Sequence, residues 1–208
     1  MIDIFRVKEF VEHCYKGSEQ ILIYHSLYHT DQMYREGVRI ACSECIDGLG
    51  MLRLQAGLLL HDIGNLVNRK GHEEIGAKIS ELMLPIYGAD QEDIKVVRGI
   101  IIATQLPQQP KNLLEQIACD ADLSLIGYVE NQWTCGVDRL QVEIYGCDEL
   151  FKYEGYEERQ KEFWIGQVNF LTSHKFFTKT AKELFDGQKK KNIQYAQKKA
   201  NEYSKYSK

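Results

Sequence analysis

Four histidines and neighbouring aspartates in this 208-residue chain have the types and spacing of metal ligands. His61 and Asp62 stand side by side in the string HDIGN, directly after a leucine-rich segment. Upstream, His25 and His29 are four residues apart in YHSLYHT, which places both imidazoles on one face if the segment is helical. Downstream, His72 opens GHEEIGAKIS. Imidazole and carboxylate ligands together suit a divalent metal ion, and such an ion would indicate hydrolytic chemistry.

The last part of the pattern is CDADLSLIG, in which Asp120 and Asp122 lie within an apolar segment. Residues two apart on a helix point about 200° apart, so only one of the two carboxylates is expected to face a shared ion. Asp120 shares an inward stripe with Leu113 and Ile117, and this favours Asp120 slightly. Asp122 stays open as the alternative ligand.

The order of these motifs resembles the HD-domain superfamily of metal-dependent phosphohydrolases. YHxxxHT, HDIGN, GHEEIG and DADLSLIG are especially similar to its small, stand-alone bacterial members, and the likeness covers roughly residues 20–130. The resemblance implies that the metal ligands are His29, His61, Asp62 and one of the two late aspartates.

The resemblance also implies roles for residues beside those ligands. His25 resembles the histidine that cyclic-nucleotide phosphodiesterases of the superfamily place beside the metal as a proton donor. Asp122 stands in an ADLS string similar to the phosphodiesterase version of the motif. His72 lies where members with two metals supply additional histidines, and Asp62 is a candidate acceptor for a proton from the attacking water. His25, Asp62 and His72 are therefore the candidate catalytic residues.

The predicted function is metal-dependent hydrolysis of a phosphoester in a small metabolite, a nucleotide or cyclic nucleotide. The alternative is a regulatory or ligand-binding module that holds a metal without turnover. Arg69 and Lys70, in the loop after HDIGN, are weak candidates for contacting a substrate phosphate. The ligand types fit Mn, Fe, Zn, Ni, Co or Mg and do not choose among them.

The pattern of apolar residues predicts helices almost throughout the chain. The segment from Met51 to Leu60 is nearly all apolar, as in a helix buried on most sides, and it delivers His61 and Asp62 at its C-terminal end. The helix dipole disfavours an anion at that end, so the Asp62 carboxylate would need a nearby cation.

Two details of the helix boundaries also follow from residue types. Thr30 or Asp31 is expected to cap the helix that carries the next apolar stripe. Gly48 and Gly50 are expected to break the chain before the buried helix.

The composition, 44% hydrophobic and 27% charged, is that of an ordinary globular protein. We expect an all-α, single-domain helical bundle of the HD/phosphodiesterase type over residues 1–188. Its motif core would span about residues 20–130 and its C-terminal helices about 131–188. Residues 189–208 would form a basic helix end or tail.

The charge is unevenly distributed between these parts. Residues 189–208 hold seven lysines and one acid, a balance of +6, so the total of −4 leaves −10 for residues 1–188. An acidic body offers no broad patch for duplex nucleic acid, so the expected partner is a small phosphorylated substrate. No run of about 18 apolar residues occurs, so membrane insertion is not expected. A cytoplasmic location is predicted, and the oligomeric state stays open.

Overall fold

The computed structural model describes residues 1–18, 21–146 and 155–205, and all regular structure in these ranges is helical. The nine α-helices of this described part are α1 (Ile4–Tyr15), α2 (Leu27–Ser43), α3 (Gly48–Leu60), α4 (His72–Met83), α5 (Gln91–Ala103), α6 (Leu113–Asp122), α7 (Glu130–Tyr145), α8 (Tyr156–Ser173) and α9 (Lys179–Ser204). Short 3₁₀ helices follow α3, α4 and α6 at Ile63–Leu66, Leu84–Tyr87 and Ser124–Gly127. The all-α prediction is confirmed.

The chain divides into two compact units. The first unit comprises Met1–Leu123 and Phe177–Ala181, and the second comprises the described parts of Ser124–Phe176 and Lys182–Lys208. Whether they unfold as one domain is a question of cooperativity, so the single-domain expectation stays a prediction.

The predicted buried helix is α3, at the centre of the first unit. It contacts α1, α2, α4, α5 and α6, and its buried residues are Leu54 and the run from Ala56 to Leu60. The break predicted at Gly48 and Gly50 is wrong, because both glycines lie in the first turn of α3. There the Asp47 side chain accepts a hydrogen bond from Gly50 N at 2.6 Å, and this N-cap begins the helix.

The start of α2 also differs from the expectation. The helix begins at Leu27 with Ser26 at the N-cap position, so neither Thr30 nor Asp31 caps it. Thr30 is buried inside the helix, and its backbone N–H donates to the carbonyl oxygen of Ser26 at 3.1 Å. Threonine favours N-cap positions, but Thr30 is instead placed inside the helix, where its side chain is buried.

Aromatic side chains of α7, α8 and α9 pack together in the described part of the second unit. Trp133 of α7, Trp164 of α8 and Tyr195 of α9 have ring centroids 5.8–6.1 Å apart in edge-to-face arrangements. The buried Asn192 side chain donates to the carbonyl oxygens of Ile126 and Tyr128, each at 2.9 Å. These hydrogen bonds hold α9 against the 3₁₀ helix at Ser124–Gly127 and the residue that follows it, all within the second unit.

The basic segment predicted as a helix end or tail is helical from Lys189 to Ser204, as part of α9. Its first lysine is buried. Lys189 Nζ donates to the carbonyl oxygen of His174 at 2.8 Å and lies 5.2 Å from the ring centroid of Phe176.

In the described ranges, no helix combines the length and the apolar character needed to cross a membrane.

Candidate metal centre

His61 and Asp62 directly follow the last residue of α3, and both side chains are buried. His61 Nδ1 lies 2.9 Å from the carbonyl oxygen of Leu58, one turn back along the helix. An imidazole N–H donates to a carbonyl, so Nδ1 carries a hydrogen and Nε2 points toward the other site residues. The end of the buried helix thus fixes the orientation of this imidazole.

The turn after Asp62 brings α4 against the same point. A Cβ atom on Gly64 would overlap the backbone carbonyl of His72, so the 3₁₀ turn approaches α4 this closely only with glycine. His72 Nε2 then lies 3.1 Å from Asp62 Oδ1. Asn65 Nδ2 donates to the same oxygen at 3.0 Å. Two groups therefore hold Oδ1 and fix the direction in which Oδ2 points.

Two further elements complete the group. His29 Nε2, from α2, lies 3.4 Å from His61 Nε2 and 3.6 Å from Asp62 Oδ2. Asp122 Oδ1, from the last residue of α6, lies 3.2 Å from His29 Nε2 and 3.8 Å from His61 Nε2. Gln108 Nε2 donates to the other Asp122 oxygen at 3.4 Å. We call His29, His61, Asp62 and Asp122 the His–Asp cluster.

The cluster has the donor atoms of a metal site, and one of its buried carboxylate oxygens has no hydrogen-bond partner in the described residues. One donor atom each from His29, His61 and Asp122 lie within 4.8 Å of one another. Asp62 Oδ2 is buried, 3.1 Å from His61 Nε2, and has no hydrogen-bond partner in the described part of the chain. A buried carboxylate oxygen without a partner is costly, and a cation removes that cost. These residues therefore fit a divalent metal ion of the kind that imidazole and carboxylate bind.

The charges of the cluster are tightly linked in the absence of a metal. Burial lowers the pKa of His61, but the adjacent Asp62 carboxylate raises it more, and the pKa of His61 lies at about 9. Burial alone would raise the pKa of Asp62, whereas the charge of His61 and the hydrogen bond from His72 hold that pKa well below its ordinary value. A proton on His61 thus occupies the place that a metal ion would take.

Among solved structures, the chain is similar to the crystal structure of a predicted HD superfamily hydrolase from an uncultured Thermotogales bacterium. The two chains are 20% identical, with a TM-score of 0.61 over 96% of this chain and 92% of that one. The chain has the HD-domain fold. No protein-family model matches the chain, and no curated protein matches it. The resemblance inferred from the motifs is thereby confirmed at the level of the fold.

Within this HD fold, the slight preference for Asp120 over Asp122 is corrected. The Asp120 carboxylate is fully buried and accepts hydrogen bonds from Phe177 N at 2.8 Å, Thr178 N at 2.8 Å and Thr178 Oγ1 at 2.7 Å. It therefore anchors the segment that leads into α9. Of the predicted inward stripe, Ile117 and Asp120 are buried but Leu113 is exposed, and the buried face at Asp120 does not point to the His–Asp cluster.

The candidate catalytic histidines lie beside the cluster. His25 precedes α2, so the helical geometry assumed for His25 and His29 does not hold. Its ring centroid is nevertheless 6.1 Å from that of His29 and 6.2 Å from that of His72. His72 is the first residue of α4, and Glu73 and Glu74 follow it in the first turn, where acids are favourable. The HD fold thus brings His25, His72 and Asp62 together, and their catalytic roles stay a proposal.

The two loop cations lie on an exposed loop between Asn68 and Gly71. Their backbones shape it: the Arg69 carbonyl oxygen accepts a hydrogen bond from His72 Nδ1 at 3.0 Å, and Lys70 N donates to Asn68 Oδ1 at 3.1 Å. A contact between their side chains and a substrate phosphate stays a prediction.

The sequence interpretation missed two residues that orient the carboxylates of the cluster, Asn65 and Gln108. Asn65 stands three residues after Asp62, one turn of a 3₁₀ helix, and that spacing was a signal in HDIGN itself. Gln108 comes from the QLPQQP turn and carried no comparable signal. Only the folded chain brings it to Asp122.

Proposed function

We propose that this protein is a metal-dependent phosphohydrolase that cleaves a phosphoester of a small metabolite, a nucleotide or a cyclic nucleotide. The observation that supports it most strongly is the buried Asp62 Oδ2, which has no hydrogen-bond partner in the described residues and lies beside two imidazole nitrogens. The HD fold and the neighbouring proton-transfer groups make a hydrolytic site the interpretation with the best physical support.

The His–Asp cluster would hold the ion through His29, His61, Asp62 and Asp122. A divalent ion bound there would polarise a phosphate oxygen and lower the pKa of a bound water. Gln108 keeps Asp122 Oδ1 turned toward the imidazoles, because it donates to the other carboxylate oxygen. Asn65 does the same for Asp62 Oδ2. Such outer partners set the direction of ligand atoms before the ion arrives.

His72 is the group best placed to move a proton. Its Nδ1 lies 3.0 Å from the Arg69 carbonyl oxygen and its Nε2 lies 3.1 Å from Asp62 Oδ1. Burial lowers the pKa of His72, but the Asp62 carboxylate raises it more, and the net pKa is above that of a free imidazole. A protonated, half-buried imidazole can donate to the leaving oxygen of a substrate. His25 lies next to it and is the second candidate for that proton.

The first experiment is elemental analysis of the full chain purified without added metal. The variants His61→Ala and Asp122→Ala are compared with His13→Ala, an exposed histidine on α1 that serves as the matched control. Near-stoichiometric metal is expected in the parent protein and the control and is expected to be lost in the two cluster variants.

A hydrolysis screen with added manganese across nucleotides and cyclic nucleotides then tests turnover. Metal-dependent release of phosphate, or opening of a cyclic phosphate, is expected from the parent protein and should fall about 100-fold or more in His72→Ala. Bound metal without turnover on any of these compounds would favour the regulatory module instead. Absence of metal under every loading condition would overturn the proposal as a whole.

A further inference from the structure

The second unit contains a cavity of about 450 Å³ that the proposed function does not use. Residues of α7, α8 and α9 line it, and all of them belong to the second unit. Its volume is within the range of about 300–1,000 Å³ found for small-molecule sites. The character of its walls decides which class of molecule it fits.

Much of the cavity lining is aromatic. Tyr156, Trp164, Tyr195 and Tyr203 all line it, and the rings form two edge-to-face pairs with centroids 5.8 Å and 6.2 Å apart. Aromatic surface of this kind favours a flat aromatic ring over an aliphatic chain, because ring faces and edges attract one another.

The lining also includes a buried pair of amides. Gln141 and Gln160 are only 4% and 5% exposed, and Gln160 Nε2 donates to Gln141 Oε1 at 2.7 Å. That bond uses one donor group and one acceptor, and it leaves Gln141 Nε2 and Gln160 Oε1 available to other groups. If both amides turn over, the two roles exchange, and the pair still offers one donor group beside one acceptor. Both side chains line the cavity.

The charge of the cavity argues against a phosphate group. Asp138 and Lys199 are the charged residues in its described lining, one of each sign, and Lys199 Nζ already lies 3.3 Å from Glu202. Clustered cations are the usual partners of a phosphate, and the described lining holds a single lysine together with an aspartate. The ligand that matches these walls is uncharged.

We propose that this cavity binds a nucleobase, an uncharged heteroaromatic ring that carries a hydrogen-bond donor next to an acceptor on one edge. The ring would pack on these aromatic side chains, and its edge would pair with the remaining donor and acceptor of Gln141 and Gln160. This proposal depends on residues of the second unit alone and does not require the metal site or hydrolysis.

The chain carries its own reporter for this cavity. Its two tryptophans are Trp133 and Trp164, whose rings pack against each other, and Trp164 lines the cavity. The experiment is a titration of the full chain with uridine, cytidine, adenosine and guanosine, followed by tryptophan fluorescence and calorimetry. EDTA is present throughout, so that a nucleoside held at a metal site does not contribute. 3-Methyluridine, which lacks the ring N–H donor, is the control compound.

The test variant is Gln141→Leu combined with Gln160→Leu, which replaces both amides and leaves no orphaned partner. Gln132→Leu, an exposed position on the same helix as Gln141, is the matched control. We expect a saturable fluorescence change with at least one nucleoside, weakened about tenfold or more in the double variant and unchanged in the control. Where uridine binds, 3-methyluridine should bind about tenfold more weakly.

Two results would overturn the proposal. One is the absence of saturable binding for all four nucleosides by both methods. The other is binding that the double variant retains with unchanged affinity. If circular dichroism shows that the double variant is unfolded, Thr134→Phe replaces it, because a larger side chain at this lining position fills the cavity and leaves the amides intact. Undiminished binding in Thr134→Phe would then count against the cavity.

Discussion

At the scale of single residues, the two aspartates of α6 have different surroundings although they are two positions apart. Asp122 Oδ1 lies close to two imidazole nitrogens, where a carboxylate can serve as a metal ligand. Asp120 accepts three hydrogen bonds from the segment before α9, and its carboxylate therefore holds the backbone of that segment in place. Their opposite directions on the helix separate a site residue from a structural one.

This difference predicts opposite results for the two alanine variants. Asp122→Ala should lose metal while its free energy of unfolding, measured without metal, changes by less than about 1 kcal/mol. Asp120→Ala should keep metal but lose about 3 kcal/mol of stability, because it leaves buried donors without an acceptor. Elemental analysis and urea unfolding in EDTA measure the two effects. Loss of metal in Asp120→Ala at full stability would contradict the assignment.

The His61 imidazole predicts how stability depends on pH in the metal-free protein. Its pKa is raised from an ordinary value of 6.5 to about 9, so the folded state binds the proton more tightly than the unfolded state. The resulting stabilisation is complete below about pH 6.5 and is lost as the pH rises through about 9. The lowered pKa of Asp62 acts in acid and leaves this window unchanged.

The measurement is urea unfolding in EDTA at pH 7 and pH 10, for the parent protein and for His61→Gln. Other groups titrate in this window, so the quantity to compare is the difference in unfolding free energy between the two proteins. We expect the advantage of the parent protein to shrink between pH 7 and pH 10. An advantage that stays constant would show that His61 does not hold this proton.

At the scale of elements, the site depends on how the end of α3 turns into α4. The 3₁₀ helix at Ile63–Leu66 packs against α4, and Gly64 makes the closest approach. This contact places His72 against Asp62, which would otherwise be an anion at the C-terminal end of a buried helix.

Gly64→Ala should therefore separate the turn from α4. The added Cβ overlaps the backbone carbonyl of His72, which cannot move away as a flexible side chain can, so we expect a loss of about 2 kcal/mol or more and weaker metal binding. Gly48→Ala is the matched control, because a Cβ there, in the first turn of α3, meets nothing within 4 Å. Thermal unfolding and metal titration of both variants test the prediction. Equal behaviour of the two would rule out a special role for Gly64.

At the scale of the whole molecule, the proposed metal links folding to function. The described donors of the His–Asp cluster come from α2, the end of α3 and α6, which are far apart in sequence. The unfolded chain cannot hold those donors together, so an ion that binds the folded state stabilises it by mass action.

Metal removal should therefore lower the thermal unfolding temperature of the parent protein. At a free metal concentration 100 times the dissociation constant, the stabilisation is about 2.7 kcal/mol. Calorimetry with added manganese and then with EDTA measures the shift. His61→Ala should show no such shift, and an equal shift in this variant would place the stabilising ion elsewhere.

The sequence by itself determined most of the helices and the order of the site motifs. The apolar run from Met51 to Leu60, predicted as a buried helix, forms most of α3. These are local consequences of apolar periodicity, which a chain displays whether or not it is folded. The pairing of His61 with Asp62 is likewise local, since the two are neighbours.

The tertiary structure decided what depends on contacts between distant segments. The choice of Asp122 over Asp120 required the position of α6 against α2 and of Thr178 against α6. The supporting role of Gln108 and the pairing of Gln141 with Gln160 arise in the same way. Helical periodicity indicates that a side chain points inward. It does not indicate which residues that side chain contacts, because the contacts depend on which helices pack together.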